Sequence, residues 1–233
     1  MKGCVAFLLL ALPLFSYASD GDDLYKRGLD FYQDHKFLLA TGSFRKALDE
    51  GRKDALVYLY LGNCYVQQGD FDRALDSFSQ GLLAGGENDL QATLYHNIGY
   101  AYYARKDWSN SIDYFRKAYS LLPTLLQARW YSGMACYQLR DRDGTIVEWE
   151  AYLSAETNGP QSDNIRKALA VLKATNFAFP NPEATNAVAA ASSSNTNRKS
   201  VPDSLINIEG LLDQTRPSDK GKVSDDTSEG IEK

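Results

Sequence analysis

The chain has 233 residues, 44% of them apolar, a normal share for a globular protein of one or two domains. A formal net charge of −5 argues against a nucleic-acid partner, which needs a basic face to displace counterions. Three cysteines, Cys4, Cys64 and Cys136, are too few and too far apart for a disulfide scaffold or a zinc ligand set. In chain order, Met1-Lys2-Gly3 is a short positive start, Cys4 to Phe15 runs apolar, and Ser16-Tyr17-Ala18 follows. That order reads as a signal peptide over 1–18, cut after Ala18. Its apolar run makes about 18 Å of helix against a hydrocarbon core of about 30 Å, so no membrane insertion of the mature chain is expected. No Asn-x-Ser/Thr sequon occurs, which favours a periplasmic or secreted protein of a bacterial envelope.

The next stretch is built to make a core. Of 28 Phe, Tyr and Trp residues, all but three follow Ser19 and none follows Phe179. Between Leu14 and Gly159 the only proline is Pro123, so long helices are allowed. Gly28, Gly62, Gly99 and Gly133 recur at spacings of 34, 37 and 34. Twelve residues after each comes a small side chain: Ala40, Ala74, Ser111 and Thr145. Sixteen after comes an aromatic one: Phe44, Phe78, Phe115 and Trp149. Two antiparallel helices approach to about 8–10 Å only where small residues face each other. Aromatic rings then fill the space beside the close contact. The turns Gln68-Gly69-Asp70, Arg105-Lys106-Asp107 and Arg140-Asp141-Arg142 separate the helices, with Gly69 suited to a C-cap and Asp70 and Asp107 to N-caps.

The stretch from Tyr58 to Tyr65, then Gly69 to Ala74 and Phe78, resembles a tetratricopeptide repeat. So does Tyr95 to Tyr102, followed by Phe115, Ala118 and Pro123. The resemblance implies an all-α fold: an α-solenoid of four helix-turn-helix repeats over 21–54, 55–91, 92–125 and 126–159, plus a C-terminal capping helix. Copy two carries three extra residues near Gly85-Gly86-Glu87-Asn88, expected to lengthen one turn. Gly81 and Tyr152 stand where the family has alanine, and Arg129 where it has an aromatic; copy four, whose repeat-to-repeat contact must absorb Tyr152, is expected to tilt.

Region 160–179 is expected to cover the last open core face, with Ser162 or Asp163 as cap and Ile165, Ala168, Leu169 and Leu172 on one stripe. Residues 180–233 have no aromatic residue and little periodicity, the composition of a disordered tail. One island, 203–213, places Leu205, Ile208, Leu211 and Leu212 on one helical face; it reads either as a fluctuating turn or as a short docking helix.

Nothing in the pattern points to catalysis, a metal or a cofactor. His35 and His96 sit in no nucleophile constellation, and no phosphate loop, Gly-x-Ser-x-Gly or Cys-x-x-Cys occurs. The expected role is a protein or peptide partner held in the concave groove of the repeats, as an adaptor or assembly factor of the cell envelope. The alternative is a self-assembling scaffold, with a homo-oligomer on the same surface. By the resemblance, the groove is lined by Tyr25, Leu29 and Tyr32 in copy one, and by Leu59, Asn63 and Val66 in copy two. Copies three and four add His96, Tyr100 and Tyr103, then Trp130, Met134 and Tyr137. The tyrosines are expected to be exposed there, and neither Tyr100 nor Trp130 to be needed by the fold. The cations of a carboxylate clamp are missing, since Leu59, Gln127 and Tyr131 stand in their places.

Overall fold

The computed structural model describes residues 20–159 and 161–179, and every regular element among them is an α-helix. The expected signal peptide at 1–18, the tail at 180–233 and its island at 203–213 lie outside the described residues. In chain order the helices are α1 (Asp20–Gln33), α2 (Phe37–Asp49), α3 (Ala55–Gln67), α4 (Phe71–Ala84) and α5 (Asn88–Ala104). They continue with α6 (Trp108–Leu121), α7 (Leu126–Gln138), α8 (Arg142–Ala155) and α9 (Ser162–Leu172).

The short turns explain why the helices stop and restart where they do. Asp54, Asp70, Asp107 and Asp141 stand at N-caps, where each carboxylate accepts from a backbone N–H two or three residues on. At the preceding C-termini, Lys36, Asp70 and Asp141 donate their N–H to the carbonyls of Phe31, Tyr65 and Cys136, at 2.8, 2.9 and 2.9 Å. This closure places the residue before each donor in the left-handed region. Gly69 meets that need at φ 75°, but His35, Lys106 and Arg140 adopt φ of 58°, 63° and 60° with a side chain attached. A non-glycine residue there costs roughly 1 kcal/mol. Lys106→Gly and Arg140→Gly are therefore expected to raise stability by a few tenths to 1 kcal/mol each, read from the urea midpoint, whereas Gly69→Ala should lower it.

Two expectations change. The extra residues of copy two do not simply lengthen a loop: α5 begins eleven residues before its glycine, where α3 and α7 begin seven before theirs. They add a turn to the N-terminus of α5 instead. At α9 neither Ser162 nor Asp163 is the cap. Gln161 holds that place, while the Ser162 hydroxyl donates to the Glu156 carbonyl at 2.8 Å and accepts from Gly159 N–H at 3.0 Å. Asp163 pairs with Arg166 at 2.6 Å.

The chain divides into two compact units, one ending at Arg105 and the other starting at Lys106. In the first, α1 packs on α2 and α3, α3 on α4, and α5 on α4 and α3. Phe44 and Phe78 are fully buried and lie over Gly28 and Gly62, where even a methyl group would meet the ring. Ala40 and Ala74, also fully buried, supply the small side of each helix pair. The loop before α3 is tied back by Arg52, whose Nε bonds Asp54 at 2.9 Å while its guanidinium also pairs with Asp22 and lies 3.9 Å from the centre of the Tyr25 ring.

In the second unit α7 packs between α6 and α8, and α9 packs on α8. Trp149 is fully buried over Gly133 and donates from Nε1 to the Trp130 carbonyl at 3.3 Å. Ile165, Ala168, Leu169 and Leu172 form the buried stripe of α9. Tyr152 is buried too, its hydroxyl shared between Glu156 and Gln161 at 2.9 and 3.1 Å. Arg129 has a partner that explains it. Glu148, 3% exposed, accepts from the Tyr119 hydroxyl at 2.9 Å and lies 3.5 and 3.7 Å from Arg116 and Arg129. Arg129 also covers the Tyr119 ring at 4.1 Å. A buried carboxylate is held here by two cations and a phenol, which is what its burial requires.

Candidate functional site

The twelve lining residues are not an exposed aromatic stripe. Tyr25, Leu59, Asn63, Trp130, Met134 and Tyr137 are buried. Leu29, Tyr32, Val66, His96, Tyr100 and Tyr103 are half-buried, and none of the twelve is exposed. The reason is visible in the rings around α1. Tyr25 lies 5.8 Å from Phe44 and 6.2 Å from Tyr60, and Tyr60 stacks on Phe44 at 5.9 Å. The Tyr25 side chain, three residues before its repeat glycine, thus points into the seam with the next helix pair. Leu59, at the same register in α3, is 5% exposed, and Trp130 in α7 is 3% exposed. These three belong to the core.

What remains accessible in the first unit is a band of half-buried groups on α1, α3 and α5. Tyr32 meets Tyr60 edge-on at 5.4 Å and Phe37 at 5.6 Å, and is hydrogen-bonded to Asn63. Burial pushes its phenol up to about 12, with Cys64 and Tyr60 adding to the shift, so it stays neutral. Asn63 in turn accepts from Asn97 Nδ2 at 2.8 Å, linking α3 to α5. The two asparagines stand at different places in their repeats, so the repeat alignment alone does not pair them. Beside them Gln68 Nε2 donates to Thr41 Oγ1 at 2.8 Å and to the Cys64 carbonyl at 3.0 Å. Cys64 and Cys136 are both free and buried, and burial lifts each thiol to about 12, away from nucleophilic use.

His96 gives the band a pH response. Its Nδ1 is buried, and that burial lowers the imidazole to about 4. The folded chain therefore keeps it neutral while the unfolded chain takes up a proton below about 6.5. Stability is expected to be whole above pH 6.5 and to fall progressively toward pH 4. His96→Gln should flatten that portion of the profile; an unchanged slope in urea titrations at pH 7 and 4.5 would assign the acid response elsewhere.

In the second unit Trp130, Met134 and Tyr137 share one face of α7, at spacings of four and three residues. Tyr137 is closed off by the chain beyond α9, where the Phe179 ring stands 5.4 Å from it. The sequence pattern does not reveal this contact, because Phe177 and Phe179 follow the last helix and have no counterpart in the repeat. Among the described residues no cluster of His, Cys, Asp and Glu could hold a metal, and no helix is long and apolar enough to cross a membrane.

Residues 53–124 match the family model of the tetratricopeptide repeat. The described residues have the all-α fold of a tetratricopeptide repeat array. No curated protein matches it significantly. Among solved structures it resembles the Cut9–Hcn1 hetero-tetramer of APC/C, at 17% identity and a TM-score of 0.58, over 66% of this chain and 30% of that one. It also resembles a tetratricopeptide repeat protein from Parabacteroides merdae, at 16% identity and a TM-score of 0.58, over 66% of this chain and 60% of that one. A third is YrrB, described as a tetratricopeptide repeat protein with an unusual peptide-binding site, at 20% identity and a TM-score of 0.55, over 66% and 78% of the two chains. At these identities the likeness concerns the fold.

Proposed function

We propose that this repeat array is a non-catalytic interaction module that takes a peptide or protein partner on the inner band of α1, α3 and α5. One observation carries the reading. Tyr32, Val66, Tyr100 and Tyr103 remain half-buried, while the residues that close the helix pairs, such as Phe44, Phe78 and Ala74, are fully buried. The band joins aromatic area to the half-buried amide of Asn97, anchored on the buried Asn63, a surface suited to anchoring side chains and meeting an extended backbone. Peptide and protein binding is also what the repeat family is used for. With the expected signal peptide, the module would act in the periplasm or outside the cell, as an adaptor or assembly factor of the envelope.

The test is crosslinking in living cells. A photoreactive residue at Tyr103 should capture a defined partner, and one at the exposed Gln80 should not. With that partner in hand, Tyr100→Ala/Tyr103→Ala should weaken binding by about tenfold or more if these are anchors. Salt should matter little, since buried apolar area leaves little Coulomb energy to screen. Equal capture at both positions, or a folded double variant with unchanged affinity, would remove the band from the reading. Capture of the chain by itself alone would point to a scaffold.

A further inference from the structure

Beyond Leu172 the chain does not simply leave the array. It turns back across the second unit and is held there. Arg142, the first residue of α8, donates from Nε to the Leu172 carbonyl at 2.6 Å and from Nη2 to the Ala174 carbonyl at 3.2 Å. Ala174 and Phe177 close two further turns, on Val171 and Ala174. The Phe177 ring then lies 5.6 Å from the Arg142 guanidinium, and Phe179 packs edge-on to Phe177 at 5.0 Å. Phe179 also tilts onto Tyr137 at 5.4 Å. Ala178, between the two phenylalanines, is exposed, and both rings stay half-buried.

This strap is separate from the closure of the core. Ile165, Leu169 and Leu172 of α9 already cover the end of the unit, and the strap begins after them. What it does cover is Tyr137, a side chain at the register that lines the inner face of the repeats. Its own grip is modest: two carbonyls on one arginine, one cation–π contact and two half-buried rings. An aromatic-small-aromatic segment seated in this way has the form of a bound ligand attached to its own receptor.

We propose that the inner face of α7 is a receptor for short Phe-x-Phe segments, filled in cis by Phe177-Ala178-Phe179 until a partner segment of the same chemistry displaces it. The proposal rests on the reading above only in assigning the inner helix faces to binding. It adds a second site, the class of its ligand and the means of its control. The tether keeps the local concentration of the cis segment high, so a free segment competes only when it binds better or the strap is released.

The experiment uses the full chain and a labelled synthetic peptide of residues 175–182, read by fluorescence anisotropy. Phe177→Ala/Phe179→Ala should bind the peptide at least tenfold more tightly than the unsubstituted chain. Adding Tyr137→Ala should abolish the gain, and a peptide with both phenylalanines replaced by alanine should not bind. The milder Phe179→Ser, which leaves the Arg142 bonds in place, should show an intermediate gain. A folded double variant that binds no better than the parent, or a gain indifferent to Tyr137, overturns the proposal. Loss of the helical circular dichroism signal in both strap variants also overturns it, by making the strap part of the fold. None of these results bears on capture at Tyr103, so the two readings fail separately.

Discussion

Trp130→Ala is expected to cost about 3–5 kcal/mol, a loss characteristic of a buried aromatic side chain rather than of a binding surface. Trp130 is 3% exposed and stands edge-on to Tyr131 at 4.7 Å. Its carbonyl accepts the bond from Trp149 that locks α8 on α7. Truncation leaves a cavity at a site with almost no exposure, which the surrounding helices refill only in part. Its Nε1 finds no hydrogen-bond acceptor among the described residues, so Trp130→Phe loses no polar partner and should cost less than about 1.5 kcal/mol. Urea unfolding of both variants checks the pair. Equal and small losses would place Trp130 at the surface after all.

The second large effect is expected at a glycine. In Gly62→Ala the added methyl would stand 2.3 Å from Cε1 and 2.5 Å from Cδ1 of Phe78, a ring with no exposed surface. One of the two helices must shift, at a cost of about 1–3 kcal/mol or more. Shrinking the obstructing ring should recover part of that loss, so Gly62→Ala/Phe78→Leu is expected to be more stable than the two single changes summed. Gly42→Ala is the control. Nothing lies within 4 Å of its added methyl, and helix propensity predicts a gain of up to about 1 kcal/mol there. Identical melting shifts for Gly62→Ala and Gly42→Ala would show that the close approach is not what the glycine serves.

The helix pairs were legible because packing leaves a local trace in sequence. A glycine, a small residue twelve later and an aromatic sixteen later are three views of one contact, and the rings over Gly28, Gly62 and Gly133 show it. The turns were partly legible. Asp70 and Asp107 announce themselves as caps, but His35, Lys106 and Arg140 give no sign that they take the conformation that suits Gly69. The site was less legible, because register places a side chain on a face without saying what else covers that face. Tyr25 follows the lining pattern and is claimed by Phe44 and Tyr60. Tyr137 follows it and is claimed by Phe179. Contacts made by residues outside the repeat, as with Phe179 and Arg142, leave no periodic mark to read.

The helix contacts within each unit join elements at most two steps apart in the chain. Such wiring has a bearing on how the protein is made. Each hairpin closes a loop of modest length before any later part of the chain is needed, so its ordering entropy is met step by step. Proteins rich in local contacts fold quickly, and the first helix pair can set while later segments are still being synthesised.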